Sequence, residues 1–227
     1  MNKKKFYKLR SIYLRKTNGW IEDKKNEMII NFDLQAIFKD GIYYSLIDGR
    51  TIGFLPYVKN IRKYVGNEPL QLSGTGVVAY RKNEEGKLSI LLQHRTDNKK
   101  WGLPGGTIEL GEDYKECAVN ELAQETTYLA DKSKLELFDV YAGPKHITRY
   151  PNGDIVFHTV VVFLIEEKYC EKIDVKLDRT ETQHIEWFTL EEVGKIIENN
   201  KCFSNNIDIL EDIIQKFTIQ YETNPGK

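Results

Sequence analysis

The turn Pro104-Gly105-Gly106 lies between the strand-like run 88–94 and a helix-forming segment that carries Glu121 and Glu125. Adjacent glycines let backbones touch or adopt positive φ, at an entropic cost that a plain surface loop avoids. In the segment that follows, Asp113 can cap a helix and Glu116 occupies the third helical position, the reciprocal pattern that satisfies free amides. Residues four apart on a helix lie above one another and residues three apart lie on the adjacent flank, so Glu121, Gln124 and Glu125 share one face. Ala118 and Leu122, with Tyr114 before them and Leu129 after, supply an apolar stripe that docks such a helix on a sheet. Glutamates at this spacing also decorate solvated faces; the glycine turn beside them is what points to a site. Oxygen donors of this kind suit a hard cation such as Mg²⁺, which leaves positions for water and phosphate oxygens, the chemistry of metal-assisted phosphate hydrolysis.

From Gly106 to Tyr128 the chain resembles the Nudix hydrolases, whose box reads Gly, five residues, Glu, seven residues, Arg-Glu-aliphatic-x-Glu-Glu-x-Gly-aliphatic. The frame here is Gly106, Glu112, Asn120, Glu121, Leu122, Gln124, Glu125, Thr127 and Tyr128. The flanking Trp101-Gly-Leu-Pro-Gly-Gly106 and Leu91-Leu-Gln-His-Arg95 are similar to the family as well, and the likeness extends over roughly residues 68–195. It implies an α/β fold, a Nudix-type α/β/α sandwich with a mixed sheet. It further implies that Glu121 and Glu125 hold Mg²⁺ (or Mn²⁺), with Gln124 and the Gly105 carbonyl as neutral donors and Glu112 as a supporting carboxylate. Some members add a carboxylate from a loop before a Trp-bearing strand, a role open to Glu181, which is equally an ordinary loop glutamate. The general base is then Glu121 or Glu181. For the substrate, the glycine turn at Gly106 and Arg95 at the strand end offer phosphate contacts. Lys145, His146, Arg149 and Tyr150 in the loop 143–154 offer cations and an aromatic ring.

Four box positions depart from the pattern. Asn120 stands in place of an arginine that orients the carboxylates, and Gln124 in place of a metal-binding glutamate. The Gln carbonyl still offers a lone pair but removes one negative charge from the cation's surroundings. Thr127 replaces a helix-ending glycine; a β-branched residue is strained in the left-handed region, so a different helix ending is expected. Tyr128 replaces an aliphatic residue. The expected activity is a Mg²⁺-dependent pyrophosphohydrolase acting on a nucleoside diphosphate derivative, ADP-ribose among them, or on a nucleoside triphosphate. The alternative is an impaired Nudix-fold protein that binds nucleotides without turning them over.

With 227 residues, 41% hydrophobic and 30% charged, the chain can bury a full core. No apolar run approaches membrane-span length. A net charge of −1 gives no general attraction to nucleic acid, although the first sixteen residues carry seven Lys and Arg and no acid. Three widely spaced cysteines, Cys117, Cys170 and Cys202, fit a reducing, cytoplasmic compartment.

Residues 1–66 read as an N-terminal extension and 67–227 as the catalytic domain with C-terminal helices. Asp40-Gly41 and Asp48-Gly49 separate apolar runs at 34–38, 42–47 and 51–55, predicting a small antiparallel β-meander joined by 28–32. Such a unit needs a partner surface, either a second copy in a homodimer or its own catalytic domain. A helix is expected over 56–65, strands over 74–80, 88–94, 135–142, 155–165 and 186–188, and helices over 190–198 and from Ile207 to Phe217. His94, His158 and His184 read as structural, and Trp101 as a core cap.

Overall fold

The computed structural model describes residues 20–23, 28–31, 36–39, 42–45, 51–54, 57–82, 87–108, 112–150, 152–174 and 181–223. In chain order these form β1 (Trp20–Asp23), β2 (Met28–Asn31), β3 (Ala36–Lys39), β4 (Ile42–Ser45), β5 (Thr51–Phe54), α1 (Tyr57–Val65), β6 (Leu70–Lys82), β7 (Leu88–Arg95) and β8 (Trp101–Gly102). After them come α2 (Tyr114–Thr126), β9 (Tyr128–Ala130), β10 (Glu136–Tyr141), β11 (Ile147–Arg149), β12 (Ile155–Glu166), β13 (Cys170–Lys172), β14 (Thr182–Thr189), α3 (Leu190–Glu198) and α4 (Ile207–Thr223).

Strand β6 organises the main sheet, whose order is β10-β12-β6-β7-β14, with β11 on β12 and β8 on β7. It pairs in parallel with β12 from Leu70↔Val156 to Tyr80↔Glu166, but antiparallel with β7 only from Tyr80↔Ile90 to Lys82↔Leu88. On the β7 side, the amides of β6 before Tyr80 are therefore open to another partner. The sheet is mixed, and its central strands are apolar on both faces, as in sheets covered twice.

Alternation along the strands sends side chains into two layers. Val77, Ala79, Leu91, Val161, Phe163 and Ile165 pack with Ala118 and Leu122 of α2. Val78, Ile90, Leu92, Val162 and Leu164 pack with Val193 and Ile196 of α3 and Ile209, Leu210, Ile213 and Phe217 of α4. The result is an α/β/α sandwich. Full burial of one such Leu or Ile side chain contributes roughly 2 kcal/mol.

The expected capping box is present, with Asp113 and Glu116 starting α2, and the structure adds a second, with Thr189 and Glu192 starting α3. The docking face of α2 differs from the expected stripe. Tyr114 is exposed, its amphipathic ring able to keep the hydroxyl in water, and Leu129 belongs to β9; Cys117, Val119, Ala123 and Thr126 complete the contact instead. The end of α2 also corrects the sequence reading. Thr127 does adopt the left-handed conformation, with φ 68°. Its amide donates to the Ala123 carbonyl at 3.1 Å and its own carbonyl accepts from the Ile173 amide at 2.9 Å, so backbone bonds hold a geometry the side chain disfavours.

Strands β1 to β5 form a separate five-stranded antiparallel meander in sequence order. The expected strands are there, and β1 adds one more; the Asp40-Gly41 and Asp48-Gly49 turns and the basic residues 3–16 lie outside the described residues. Helix α1 is anchored to the start of β12 by Arg62, which pairs with Asp154 at 3.3 Å and donates to the Ile155 carbonyl at 3.3 Å. Among the described residues no helix is long and apolar enough to cross a membrane.

Candidate active site

The open amides of β6 are taken by the glycine turn. Val77 N–H donates to the Pro104 carbonyl at 2.8 Å, Thr75 N–H to that of Gly106 at 2.9 Å, and Ile108 N–H to that of Ser73 at 3.0 Å. Backbone lies on backbone here: a Cβ on Gly105 would stand 2.1 Å from the Thr75 oxygen, and one on Gly74 would stand 2.3 Å from the Gly106 oxygen. Only glycine permits that approach. Asn206 secures the other end of the turn, its Oδ1 accepting from Leu103 N–H at 3.0 Å.

Helix α2 presents its carboxylates to this turn. Glu121 lies against Gly106, where a Cβ would be 2.5 Å from its Oε1. Glu125, one turn on, is buried, and its Oε2 accepts from Gly105 N–H at 2.7 Å and from Gln93 Nε2 at 2.7 Å. Burial pushes its pKa up to about 7. The Gly105 amide, Gln93 and the Arg95 charge oppose that rise, and the charge of Glu181 adds to it. Gln124 is half-buried between the two glutamates in sequence. Glu112 accepts from Asn120 Nδ2 at 2.7 Å, so the asparagine does orient one carboxylate of the group.

Arg95 reaches the same neighbourhood but forks onto Asp97, Nε to Oδ1 at 3.0 Å and Nη2 to Oδ2 at 2.9 Å, with its guanidinium 4.9 Å from the Phe203 ring centre. Tyr150 lies close enough to Arg95 and Asp97 to feel both charges. Glu181, exposed just before β14, has its carbonyl held by Thr96 N–H at 2.9 Å. Lys145 and Arg149 are exposed, and their loop is tied to the C-terminal region instead of to the glutamates, through Asn205 Nδ2 to Thr148 Oγ1 at 2.9 Å. His146 is not a phosphate cation in this arrangement. It is buried, with Nε2 3.0 Å from Asp208 Oδ2 on α4. Trp101 packs edge-on against Phe188 and His184, in keeping with a core cap.

The structure thus brings Glu121, Glu125, Gly105 and Gly106 together, sets Arg95 and Glu181 at their edge, and leaves Lys145 and Arg149 on the outer loop. Sequence reading missed Gln93, Thr182, Asp97 and Asn206. For Gln93 a signal existed, since an amide at the end of an apolar strand run must find partners if buried. The donors near the turn are all oxygens, and the charge of buried Glu125 is one that a divalent cation would compensate, so the residues fit Mg²⁺ or Mn²⁺. Among the described residues no cluster of three or more His, Cys, Asp or Glu forms a ready metal cage. The fit is to a hard ion that draws further ligands from water and substrate.

A family model described as NUDIX domain matches residues 72–207, more than half of the chain. The chain belongs to the Nudix family. It is 29% identical over 133 residues to a Caenorhabditis elegans protein assigned as nudix hydrolase 2, covering 53% of this chain and 60% of that one. It is 45% identical over 56 residues to a Bacillus subtilis (strain 168) protein assigned as an 8-oxo-dGTP diphosphatase, covering 25% and 36%. The chain therefore spans less than two thirds of the length of either curated relative. A similar solved structure is the NUDIX domain of Shewanella oneidensis NrtR complexed with ADP ribose (19% identity, 65% of this chain and 89% of that one, TM-score 0.49). Another is a C. elegans Ap4A hydrolase binary complex (21% identity, 65% and 98%, TM-score 0.46).

Within the Nudix box, Tyr128 packs edge-on against Trp187 with ring centres 6.1 Å apart, and its hydroxyl donates to Glu167 Oε1 at 3.3 Å. The tyrosine is accommodated by these contacts just past the end of α2.

Proposed function

We propose that this Nudix protein is a Mg²⁺-dependent pyrophosphohydrolase, with Mn²⁺ able to substitute, that cleaves a phosphoanhydride bond of a nucleoside diphosphate derivative or a nucleoside triphosphate. The observation that carries the reading is the pair Glu121 and Glu125 on successive turns of α2, packed against the Gly105-Gly106 backbone. Glu121, Glu125, the Gln124 side-chain oxygen, the Gly105 carbonyl and Glu181 are the groups that would hold the cation, with Glu112 in support. Bound there, the ion supplies Lewis acidity towards the phosphate oxygens and favours ionisation of a water. Glu125, with two donors on one oxygen, is a holding group. The attacking water gives its proton to Glu121 or Glu181, its oxygen bonds to phosphorus, and the bridging oxygen leaves with the P–O electron pair. Arg95, the Gly106 turn, Lys145 and Arg149 are proposed phosphate contacts, Arg95 after exchanging Asp97 for substrate.

The assigned activities of the curated relatives support the reaction class. One of those names gives no substrate and the other gives 8-oxo-dGTP over a short match, so the leaving group is left at the level of the class. We further propose that residues 1–66 are an extension whose β-sheet forms a homodimer contact, since the family match begins only at residue 72. Three free cysteines suit a cytoplasmic location. A second reading, nucleotide binding without turnover, is favoured by Gln124 and Asn120 alone. The deciding experiment measures phosphate products from a panel of nucleoside diphosphate derivatives and triphosphates with Mg²⁺ or Mn²⁺, for the native chain and Glu125→Gln. Metal-dependent turnover lost in the variant upholds the hydrolase. Nucleotide binding without turnover in the native chain upholds the second reading.

A further inference from the structure

Strands β7 and β14 pair in register from Ser89↔Thr189 to His94↔His184 and then slip, because the next pair is Arg95↔Thr182 and Gln183 is left over. An extra residue of this kind bends a strand and re-aims its side chains. Here it turns Thr182 inward, fully buried, so that its Oγ1 donates to Gln93 Oε1. The leftover residue is fastened from the other side, with Gln183 Oε1 2.9 Å from His94 Nδ1. Gln93 is itself fully buried, and its Nε2 donates to Glu125 Oε2 at 2.7 Å and more weakly to the Leu103 carbonyl at 3.3 Å. Both ends of one amide are thus engaged, the oxygen by β14 and the nitrogen by α2 and the turn. A carboxylate accepts and a threonine hydroxyl can donate, which fixes the amide's orientation.

We propose that Gln93 and Thr182 are positioning residues that set the separation of two carboxylates from different elements, Glu125 on α2 and Glu181, the residue before Thr182. The proposal rests on the reading of Glu125 and Glu181 as cation-holding groups. A hydrogen-bonded chain suits that task because its length is defined by donor and acceptor distances, whereas apolar packing tolerates sliding. The Glu181 backbone is already held by Thr96, so the hydroxyl of Thr182 is what couples that segment to the helix. Neither Gln93 nor Thr182 touches substrate in this scheme.

The test compares Thr182→Val, which keeps the shape and removes the hydroxyl, with Thr182→Ser, which keeps the hydroxyl. Gln93→Met, which keeps bulk and removes all three bonds of the amide, reads the same chain from its other end. Calorimetric titration of the whole 227-residue chain with Mn²⁺ alone is the primary readout, followed by kcat and KM on a substrate that the native chain turns over. Thr182→Val and Gln93→Met are expected to weaken Mn²⁺ binding about ten- to a hundredfold, the usual scale for groups that orient metal ligands. Thr182→Val should lower kcat with KM changed by less than about threefold, and Thr182→Ser should restore both quantities to within about threefold of native. In a Glu181→Gln background the valine substitution should add little, because the group it positions is already gone. Unchanged Mn²⁺ affinity in Thr182→Val, equal damage in Thr182→Ser, or a full additional loss on top of Glu181→Gln would each overturn the proposal. A native chain that binds no Mn²⁺ would overturn the underlying reading, and this one with it. Native binding that the valine leaves intact overturns the positioning role alone.

Discussion

Gly106 and Glu121 are packed so closely that a methyl group on the glycine would stand 2.5 Å from Oε1 of the glutamate. The atoms in the way are the end of a flexible side chain, whereas the equivalent conflict at Gly74 is with the Gly106 backbone oxygen at 2.3 Å. The two glycines therefore fail differently.

Gly106→Ala should displace the Glu121 carboxylate and leave the fold nearly intact, so Mg²⁺-dependent turnover falls by tenfold or more while the melting temperature moves little. Gly74→Ala must push two backbone segments apart and should cost about 1–3 kcal/mol, several degrees in melting temperature for a chain of this size. Thermal denaturation and initial rates on both variants check the contrast. Equal effects on stability would mean that the turn yields as a unit.

Thr127 ends α2 at φ 68°, a conformation that costs a side-chain-bearing residue about 1–2 kcal/mol. Thr127→Gly should relieve that strain against a smaller rise in unfolded-chain entropy, for a net gain of about 0.5–1 kcal/mol. Urea midpoints measure it. A loss of stability would show that contacts of the threonine side chain outweigh the backbone strain.

The contrast between Thr127 and Asp113 shows what the sequence carried. Asp113 and Glu116 spell out a local exchange of hydrogen bonds, and such an exchange is readable wherever both partners are a turn apart. Thr127 is held left-handed by Ile173, a residue far along the chain, and no local pattern announces that. The site divides in the same way. Glu121, Glu125 and the glycines follow from helical spacing and turn chemistry. Gln93 and Thr182, by contrast, meet only because β7 and β14 pair with a one-residue slip. Likewise His146 looked like an available cation within a polar loop, and its burial on Asp208 depends on where α4 passes. Strand boundaries such as β14, longer than the expected 186–188, were set by pairing partners and not by their own residues.

Burial raises the Glu125 pKa from the ordinary 4.5 to about 7. A carboxyl whose folded pKa exceeds its unfolded one favours the folded state fully below the unfolded value. That contribution is lost as the pH rises through the folded value. The metal-free protein should therefore lose about 3 kcal/mol from this group between roughly pH 4.5 and pH 7. Urea unfolding in the presence of a chelator at several pH values tests it, and Glu125→Gln should flatten the profile over that window. A native profile as flat as that of the variant would show that the two donors and Arg95 already compensate the buried charge.

Gln124 stands between Glu121 and Glu125 in sequence, half-buried and neutral. Gln124→Glu adds a third carboxylate to one short stretch of helix. Without metal, like charges at this spacing repel by a few tenths of a kcal/mol, so the melting temperature in chelator should fall slightly. With a divalent cation the same charge attracts, and Mn²⁺ affinity should rise by about tenfold, equivalent to ~1.4 kcal/mol. The gap between metal-free and metal-loaded melting temperatures should therefore widen from both sides, and Mg²⁺-dependent turnover should increase if the native glutamine limits cation binding. Calorimetric titration with Mn²⁺, paired with thermal denaturation in chelator and in Mg²⁺, measures each part. A lower metal-free melting temperature with unchanged Mn²⁺ affinity would place Gln124 outside the cation's reach, leaving Glu121, Glu125 and Glu181 as its carboxylates.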